Sequence, residues 1–314
     1  MAERESSGAG ASTGGALRQI QDDLMALTKA RLSVLVVMTA CFGYLVATKE
    51  SGSFSWSLFL HMFLGTTLAA AGAAVFNQLM EIDADAKMLR TSDRPLPANR
   101  LPKPVAFILG WLLCAFGLIH LGVKVNVGAS LMAGGTLLTY LFIYTPMKRV
   151  SSANTLVGAV SGALPPLIGW AAGGQPIMSA GALFLFGLLF FWQLPHFAAI
   201  NWMYREEYVR GGFVMWSNAD ESGKKTGRIA LFYSACLLLL GLGFPLATSL
   251  MSWWGALGGG LLGAIMAALA LKFLKSGNRV DARTLFFFTL IYLPLMMLSS
   301  YLSWTAGGGQ NVTN

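Results

Sequence analysis

The sequence predicts an all-α integral membrane protein of about nine transmembrane helices, and three observations predict it: composition, the length of the apolar runs, and the placement of basic residues. Of 314 residues, 55 % are hydrophobic and 11 % are charged, against roughly 25 % charged in an ordinary soluble domain. A soluble fold of this length would have too little polar surface. The apolar residues fall into runs of about 17 to 25, the length that crosses roughly 30 Å of hydrocarbon as a helix.

Taken in order, the runs cover residues 32 to 48, 56 to 80, 105 to 122, 127 to 145, 155 to 172, 179 to 201, 229 to 250, 254 to 272 and 284 to 304. The glycine-rich stretch at 258 to 263 reads as a tilted or broken helix. With nine spans, the N-terminus and the loops near 81 to 104, 146 to 154, 202 to 228 and 273 to 283 share one side and hold nearly every Lys and Arg. The other side has little beyond Lys49 and Lys124. The formal charge of +8 is therefore almost one-sided, and because cytoplasmic loops collect Lys and Arg, the basic side is expected to be cytoplasmic. One missed span midway would scramble this asymmetry, so charge supports the count independently of hydropathy.

Residues 1–25 are expected to be a flexible cytoplasmic tail, 26–305 a single transmembrane domain, and 306–314 a short external tail. The N-terminal stretch is Ser/Gly/Ala-rich and carries Glu3, Glu5, Asp22 and Asp23, which fits neither a transit peptide nor a cleavable signal. A bacterial inner membrane is the simplest address. Cys41, Cys114 and Cys236 each fall inside a span and imply no disulfide framework. The external loops are too short to host a folded domain, so any chemistry is expected on the cytoplasmic face.

That face carries the informative residues. Asn77, Glu81 and Asp85 stand four apart, and steps of four drift by only about 80° over eight residues of helix, so the three form a ladder of oxygen ligands on one face. Carboxylates at i and i+4 repel unless a cation lies between them, and hard oxygens at this spacing suit Mg²⁺. Such a Mg²⁺ completes its shell with water and substrate phosphates, which Arg90 and Arg94 could grip. The competing reading is a solvated helix end beside a basic loop; Asn77 lies inside the apolar run and argues against it. Asp83 points elsewhere and is expected in solvent.

After the fourth span come Tyr144, Thr145, Pro146, Lys148 and Arg149. Topology explains these two cations about as well as anion binding does. The fifth span carries Gly158, Gly162, Pro165, Pro166 and Gly169, read as close packing or a bent wall. The sixth ends in Trp192, Gln193, Pro195, His196 and Phe197, followed by Arg205, Glu206, Glu207 and Tyr208, a weak echo of the second span in that acidic groups again precede a basic loop. His61 and His120 lie near the outer ends of their spans, where a histidine can simply be wet. His196 sits about one turn inside the basic boundary, where it could bind a metal, accept a proton or bond to a neighbouring helix.

Together these stretches resemble the UbiA superfamily of intramembrane prenyltransferases and, within it, the branch that farnesylates heme. The resemblance spans about residues 25 to 305 and rests on Asn77-x-x-x-Glu81-x-x-x-Asp85, Arg90-Thr91-x-x-Arg94-Pro95-Leu96 and Tyr144-Thr145-Pro146-x-Lys148-Arg149. Gly162-Ala163-x-Pro165-Pro166 and Trp192-Gln193-x-Pro195-His196-Phe197 point to the heme branch. It implies a nine-helix bundle around a lipid-open cavity, with Mg²⁺ held by Asn77, Glu81 and Asp85. Farnesyl would pass from farnesyl diphosphate to the 2-vinyl group of heme b, water would add, and heme O would result. Substrate contacts fall to Asn77, Arg90, Arg94, Tyr144, Lys148, Arg149, Trp192 and Tyr208, and the candidate base is His196 or Glu207. In sister enzymes the second motif is an Asp-x-x-x-Asp pair; here His196 stands near the first Asp, which argues for a different acceptor and against a second metal ion. The implied partners are the lipid bilayer and a terminal oxidase assembly factor or a heme A synthase, with no nucleic acid.

The rivals are distinguishable. A quinone-type or chlorophyll-type prenyltransferase should keep the Asp pair that this chain lacks. A transporter would place its charges near the bilayer midplane. A b-type cytochrome would need two facing histidines within the membrane, and His61, His120 and His196 are divided between opposite sides.

Overall fold

The computed structural model describes residues 6–306. The chain order is α1 (Ser6–Leu27), α2 (Ala30–Ser51), α3 (Trp56–Met80), α4 (Ile82–Lys87), α5 (Lys103–Lys124), α6 (Val127–Leu138), a π-helical turn (Thr139–Tyr144) and α7 (Thr145–Met147). It continues with α8 (Asn154–Ala163), α9 (Pro165–Ala172), α10 (Ala180–Met203), α11 (Arg205–Arg210), α12 (Lys224–Ala247), α13 (Trp253–Ser276) and α14 (Arg279–Ser303). Nine helical stretches among the described residues are long and apolar enough to cross a membrane, matching the predicted runs to within a few residues. Two of the nine are composite: the fourth joins α6, the π turn and α7, and the fifth joins α8 and α9.

The described residues bear on three expectations. The predicted tail is helical from Ser6 onward, and α1 is tied down at its end, where Gln78 Nε2 donates to the Ala26 and Leu27 carbonyls at 2.7 and 2.8 Å. Residues 1–5 and 307–314, which include nearly all of the predicted external tail, lie outside the described residues. The stretch at 258 to 263 is neither broken nor interrupted, because α13 runs through it. Its glycines instead bring backbones together: a Cβ on Gly259 would sit 2.6 Å from the Gly241 carbonyl oxygen of α12, and one on Gly263 would sit 2.7 Å from Leu238 Cα. The break falls in the fifth span, at Leu164, where Pro165 and Pro166 supply no N–H and start a new helix at its first positions.

Gly43 and Gly169 seat α9 directly on the backbone of α2, since a Cβ at either would overlap the Pro166 or Ala40 carbonyl oxygen. A continuous apolar core, including Trp170, Leu185, Leu188, Phe273 and Tyr292, then packs α10 against α12, α13 and α14. The first, second, fourth and fifth spans and α10 instead enclose a cavity of about 330 Å³, and no residue beyond Phe197 lines it.

Candidate active site

Beside the end of this cavity lined by Lys29 and Tyr144, α3 stops. The helix breaks at Glu81 (φ −111°, ψ 11°), yet Glu81 N donates to Asn77 O at 3.1 Å and Asp85 N to Glu81 O at 2.8 Å. The four-residue register therefore survives the break, and Asn77, Glu81 and Asp85 are all buried. Asp83 is exposed, as its phase predicts. Repulsion within the ladder is relieved by the chain's own cations. Lys148 Nζ bonds Glu81 Oε1 at 2.8 Å, Arg94 Nη1 bonds Asp85 Oδ2 at 2.6 Å, and Lys29 Nζ donates to Asn77 Oδ1.

Burial acts against every charge in this cluster, and the outcome differs by neighbour. For Glu81, Lys148 and Lys29 overcome burial and hold the carboxyl below its ordinary pKa. For Lys148, the oxygens of Tyr144 and Glu81 overcome burial and raise the ammonium pKa. Lys29 goes the other way, to about 7, because burial, with Arg94 and Lys148 in support, outweighs Glu81.

Thr145 explains the orientation of Asn77. Its hydroxyl donates to the Tyr140 carbonyl at 2.8 Å within the π turn and so must accept from Asn77 Nδ2, at 3.2 Å. The Asn77 amide oxygen is thereby aimed at the cationic side. The π turn also turns Tyr140 and Tyr144 onto the cavity wall, and Tyr144 lies beneath Lys148 Nζ, 4.5 Å from its ring centroid. Such single-turn π segments are frequent at functional sites. Tyr144 fits there because Gly158 has no Cβ, which would otherwise meet the ring at 2.7 Å. Gly162 admits Gln193 in the same manner, since a Cβ would overlap the Gln193 amide. These two glycines of the fifth span thus make room for side chains of the cavity wall.

The remaining candidates divide. Arg90 stacks over Tyr204 and Tyr208, 5.2 and 5.9 Å from their ring centroids, which places Tyr208 beside the basic loop. Arg149 is exposed and forms no ion pair among the described residues. Trp192 and His196 line the cavity, whereas Glu206 and Glu207 line a separate polar recess with Arg205, Arg210 and Arg279. Glu207 Oε2 is buried there without a hydrogen-bond partner. Lys29, which bonds Asn77, and Tyr144, which lies beneath Lys148, line the same cavity as His196, and Glu207 lies outside it.

His196 is held tightly. Its ring stacks on Trp192 at 5.5 Å and on Phe286 at 4.9 Å between centroids, and its Nδ1 lies 2.8 Å from Thr289 Oγ1. The Thr289 hydroxyl already donates to the Phe286 carbonyl at 2.5 Å, so it accepts from His196, and Nδ1 carries the proton. Nε2 is then left with a lone pair and no partner among the described residues. Trp192 Nε1 donates to the Thr289 carbonyl at 2.7 Å, fixing the indole on the same residue. Sequence reasoning missed Lys29, Thr145 and Thr289. Thr145 stood inside a recognised motif, whereas nothing in the spacing singled out Lys29 or Thr289.

A family model described as the UbiA prenyltransferase family matches residues 36–292. The chain belongs to this family. Relatives named protoheme IX farnesyltransferase include one from Opitutus terrae, 43 % identical over 276 residues, covering 88 % of this chain and 92 % of that one. Another, from Solibacter usitatus, is 37 % identical over 290 residues, covering 87 % and 96 %. The mitochondrial relative of Homo sapiens is 36 % identical over 275 residues, and the match covers 88 % of this chain but 60 % of the human one. In fold, the chain is similar to a digeranylgeranylglyceryl phosphate synthase, with TM-score 0.75 at 17 % identity, covering 90 % and 98 %. It is also similar to a UbiA homologue from Archaeoglobus fulgidus bound to DMAPP and Mg²⁺, with TM-score 0.63 at 13 % identity, covering 88 % and 99 %.

Two carboxylates and an amide are a hard-oxygen donor set, and no group of three His, Cys, Asp or Glu side chains able to hold a metal occurs among the described residues. That combination fits Mg²⁺, which takes one or two carboxylates and leaves other positions to water and phosphate oxygens. It does not fit a closed all-protein metal cage.

Proposed function

We infer that this protein transfers the farnesyl group of farnesyl diphosphate to the 2-vinyl group of heme b, with addition of water, giving heme O and diphosphate. The observation that carries the reading is a single cavity lined both by Lys29 and Tyr144, which contact Asn77 and the Glu81 partner Lys148, and by a histidine whose free nitrogen is left unpartnered. Mg²⁺, held by Asn77, Glu81 and Asp85, would supply positive charge against the diphosphate oxygens. Lys29, Arg94 and Lys148, already gathered at the mouth, take up the negative charge that grows as the allylic C–O bond breaks. Arg90 and the exposed Arg149 stand in the same basic loops and would draw the diphosphate in. The Tyr140 and Tyr144 rings present π faces to the positive charge that develops on the farnesyl chain.

The vinyl electron pair forms the new C–C bond at the allylic carbon and leaves a cation beside the porphyrin. Water adds there, and its proton passes to a base. Nε2 of His196 suits that role, and Thr289 keeps it in the accepting tautomer. The apolar wall delays water until the chain has been captured. By the one-sided basic charge, we place the ladder on the cytoplasmic side of a bacterial inner membrane.

Membranes containing the chain, incubated with heme b, Mg²⁺ and farnesyl diphosphate, should accumulate heme O, detected by mass. Folded protein that yields none overturns the reading. His196→Ala should lower product formation by about 10² to 10⁴-fold while farnesyl diphosphate binding persists.

A further inference from the structure

At the far end of the bundle, His61 of α3 and His120 of α5 face each other, with Nδ1 of His61 3.1 Å from Nε2 of His120 and ring centroids 5.1 Å apart. His61 stands sixteen residues before Asn77 on the same helix, about 24 Å away along its axis. Both imidazoles are partly exposed. In the neutral pair, one nitrogen must be a donor and the other an acceptor, and the two share a single proton.

We propose that His61 and His120 form a binding site for a divalent first-row transition ion such as Zn²⁺, with water completing its shell. Two imidazoles on one ion, each at about 2.0 to 2.1 Å, stand about 2.9 Å apart at right-angled positions and about 3.3 Å apart at tetrahedral ones. The observed 3.1 Å lies between these values, so the spacing already suits an ion in place of the shared proton, each ring tilting to aim its lone pair at the ion instead of at its neighbour.

The two helices cannot easily drift from this spacing. One turn inward, a Cβ on Gly117 would lie 2.7 Å from Ala69 N, and one on Gly65 would lie 2.7 Å from Leu121 Cγ, so α3 and α5 are locked in contact beneath the pair. No third His, Cys, Asp or Glu joins them among the described residues, which leaves the ion open to exchange. Lys124, one turn beyond His120, is the nearby cation that would oppose binding, and its long side chain can swing toward solvent. Imidazole ligands select the transition ions over Mg²⁺, so this end and the carboxylate ladder would bind different metals.

The test is calorimetric titration of Zn²⁺ into the purified full-length protein, without a polyhistidine tag and with excess Mg²⁺ to occupy oxygen sites. One ion per chain is expected. His61→Ala and His120→Ala should each weaken it by about 10²-fold or more, since two-point attachment exceeds single-point binding by about 10² to 10⁴. His61→Gln, which retains a hydrogen-bonding side chain opposite His120, should lose the ion equally while melting as wild type does. His196→Ala should bind as wild type does. No Zn²⁺ binding in the wild type, or binding that survives His61→Gln and His120→Ala, overturns the proposal and leaves a hydrogen-bonded pair only.

Discussion

The cavity wall and the α12–α13 contact use small residues in opposite ways. Along α3, Ala69, Ala70, Ala73 and Ala74 face the cavity, and in α8 Gly158 and Gly162 give their missing volume to Tyr144 and Gln193. Between α12 and α13, Gly241, Gly259 and Gly263 give theirs to the opposing backbone and leave no comparable space. A small residue in a membrane helix thus specifies only that something comes close. A side chain across from it makes a site, and a backbone makes a seam.

If function resides at the cavity wall and rigidity at the α12–α13 contact, substitutions should separate accordingly. The largest effect is expected at the ladder. Glu81→Gln and Asp85→Asn should each remove Mg²⁺-dependent farnesyl diphosphate binding and lower turnover by about 10³-fold, the upper range for losing one element of charge stabilisation. Glu81→Gln should also destabilise, by about 3 to 5 kcal/mol, because it strands the buried Lys148 charge. The double variant Glu81→Gln with Lys148→Met should melt nearly as wild type does and remain inactive. An active double variant would take the ladder out of the chemistry.

Next in size is Thr289→Val, which should lower heme O formation by about 10 to 100-fold, on the scale seen when a histidine loses its orienting partner. Thr289→Ser should restore it, and farnesyl diphosphate binding should be unchanged in both. Valine activity equal to that of wild type would mean that the tautomer is set elsewhere.

Smaller, and aimed directly at the two uses of glycine, are Gly162→Ala and Gly259→Ala. Each overpacks a tight contact and should cost about 1 to 3 kcal/mol in thermal unfolding. Only Gly162→Ala should also reduce turnover per folded molecule, because it displaces Gln193 in the cavity wall. Equal loss of turnover in Gly259→Ala would erase the distinction between the two kinds of contact. The smallest effect belongs to Gly243→Ala, where a Cβ would meet nothing within 4 Å; a gain of up to about 1 kcal/mol from helix propensity is expected, with activity unchanged.

The spans were legible because bilayer thickness fixes helix length and charge fixes alternation. Asn77, Glu81 and Asp85 were legible because their relation is local and periodic. What reads them electrostatically was not: Lys148 lies 67 residues from Glu81, and Lys29 lies 48 from Asn77. The partner of His196 is 93 residues away on a helix whose sequence reads as plain apolar span. Spacing likewise revealed glycines without revealing what they approach, which is why a tilt or break in α13 and a bent wall in the fifth span read alike in sequence, and the break occurs after α8. Sequence placed His61 and His120 at the same end of the bundle without showing that they touch.

Lys29 is the hinge residue between α1 and α2, and its backbone is left-handed (φ 45°, ψ 46°), a conformation that costs a non-glycine residue roughly 1 to 2 kcal/mol. Glycine would relax the joint, and any procedure that ranks substitutions by folding stability alone would choose it. The ammonium that meets Asn77 would vanish with that choice. Position 29 is thus one where an engineer seeking a hardier protein and a cell needing a working one would select different amino acids, and the strained backbone marks where their interests part.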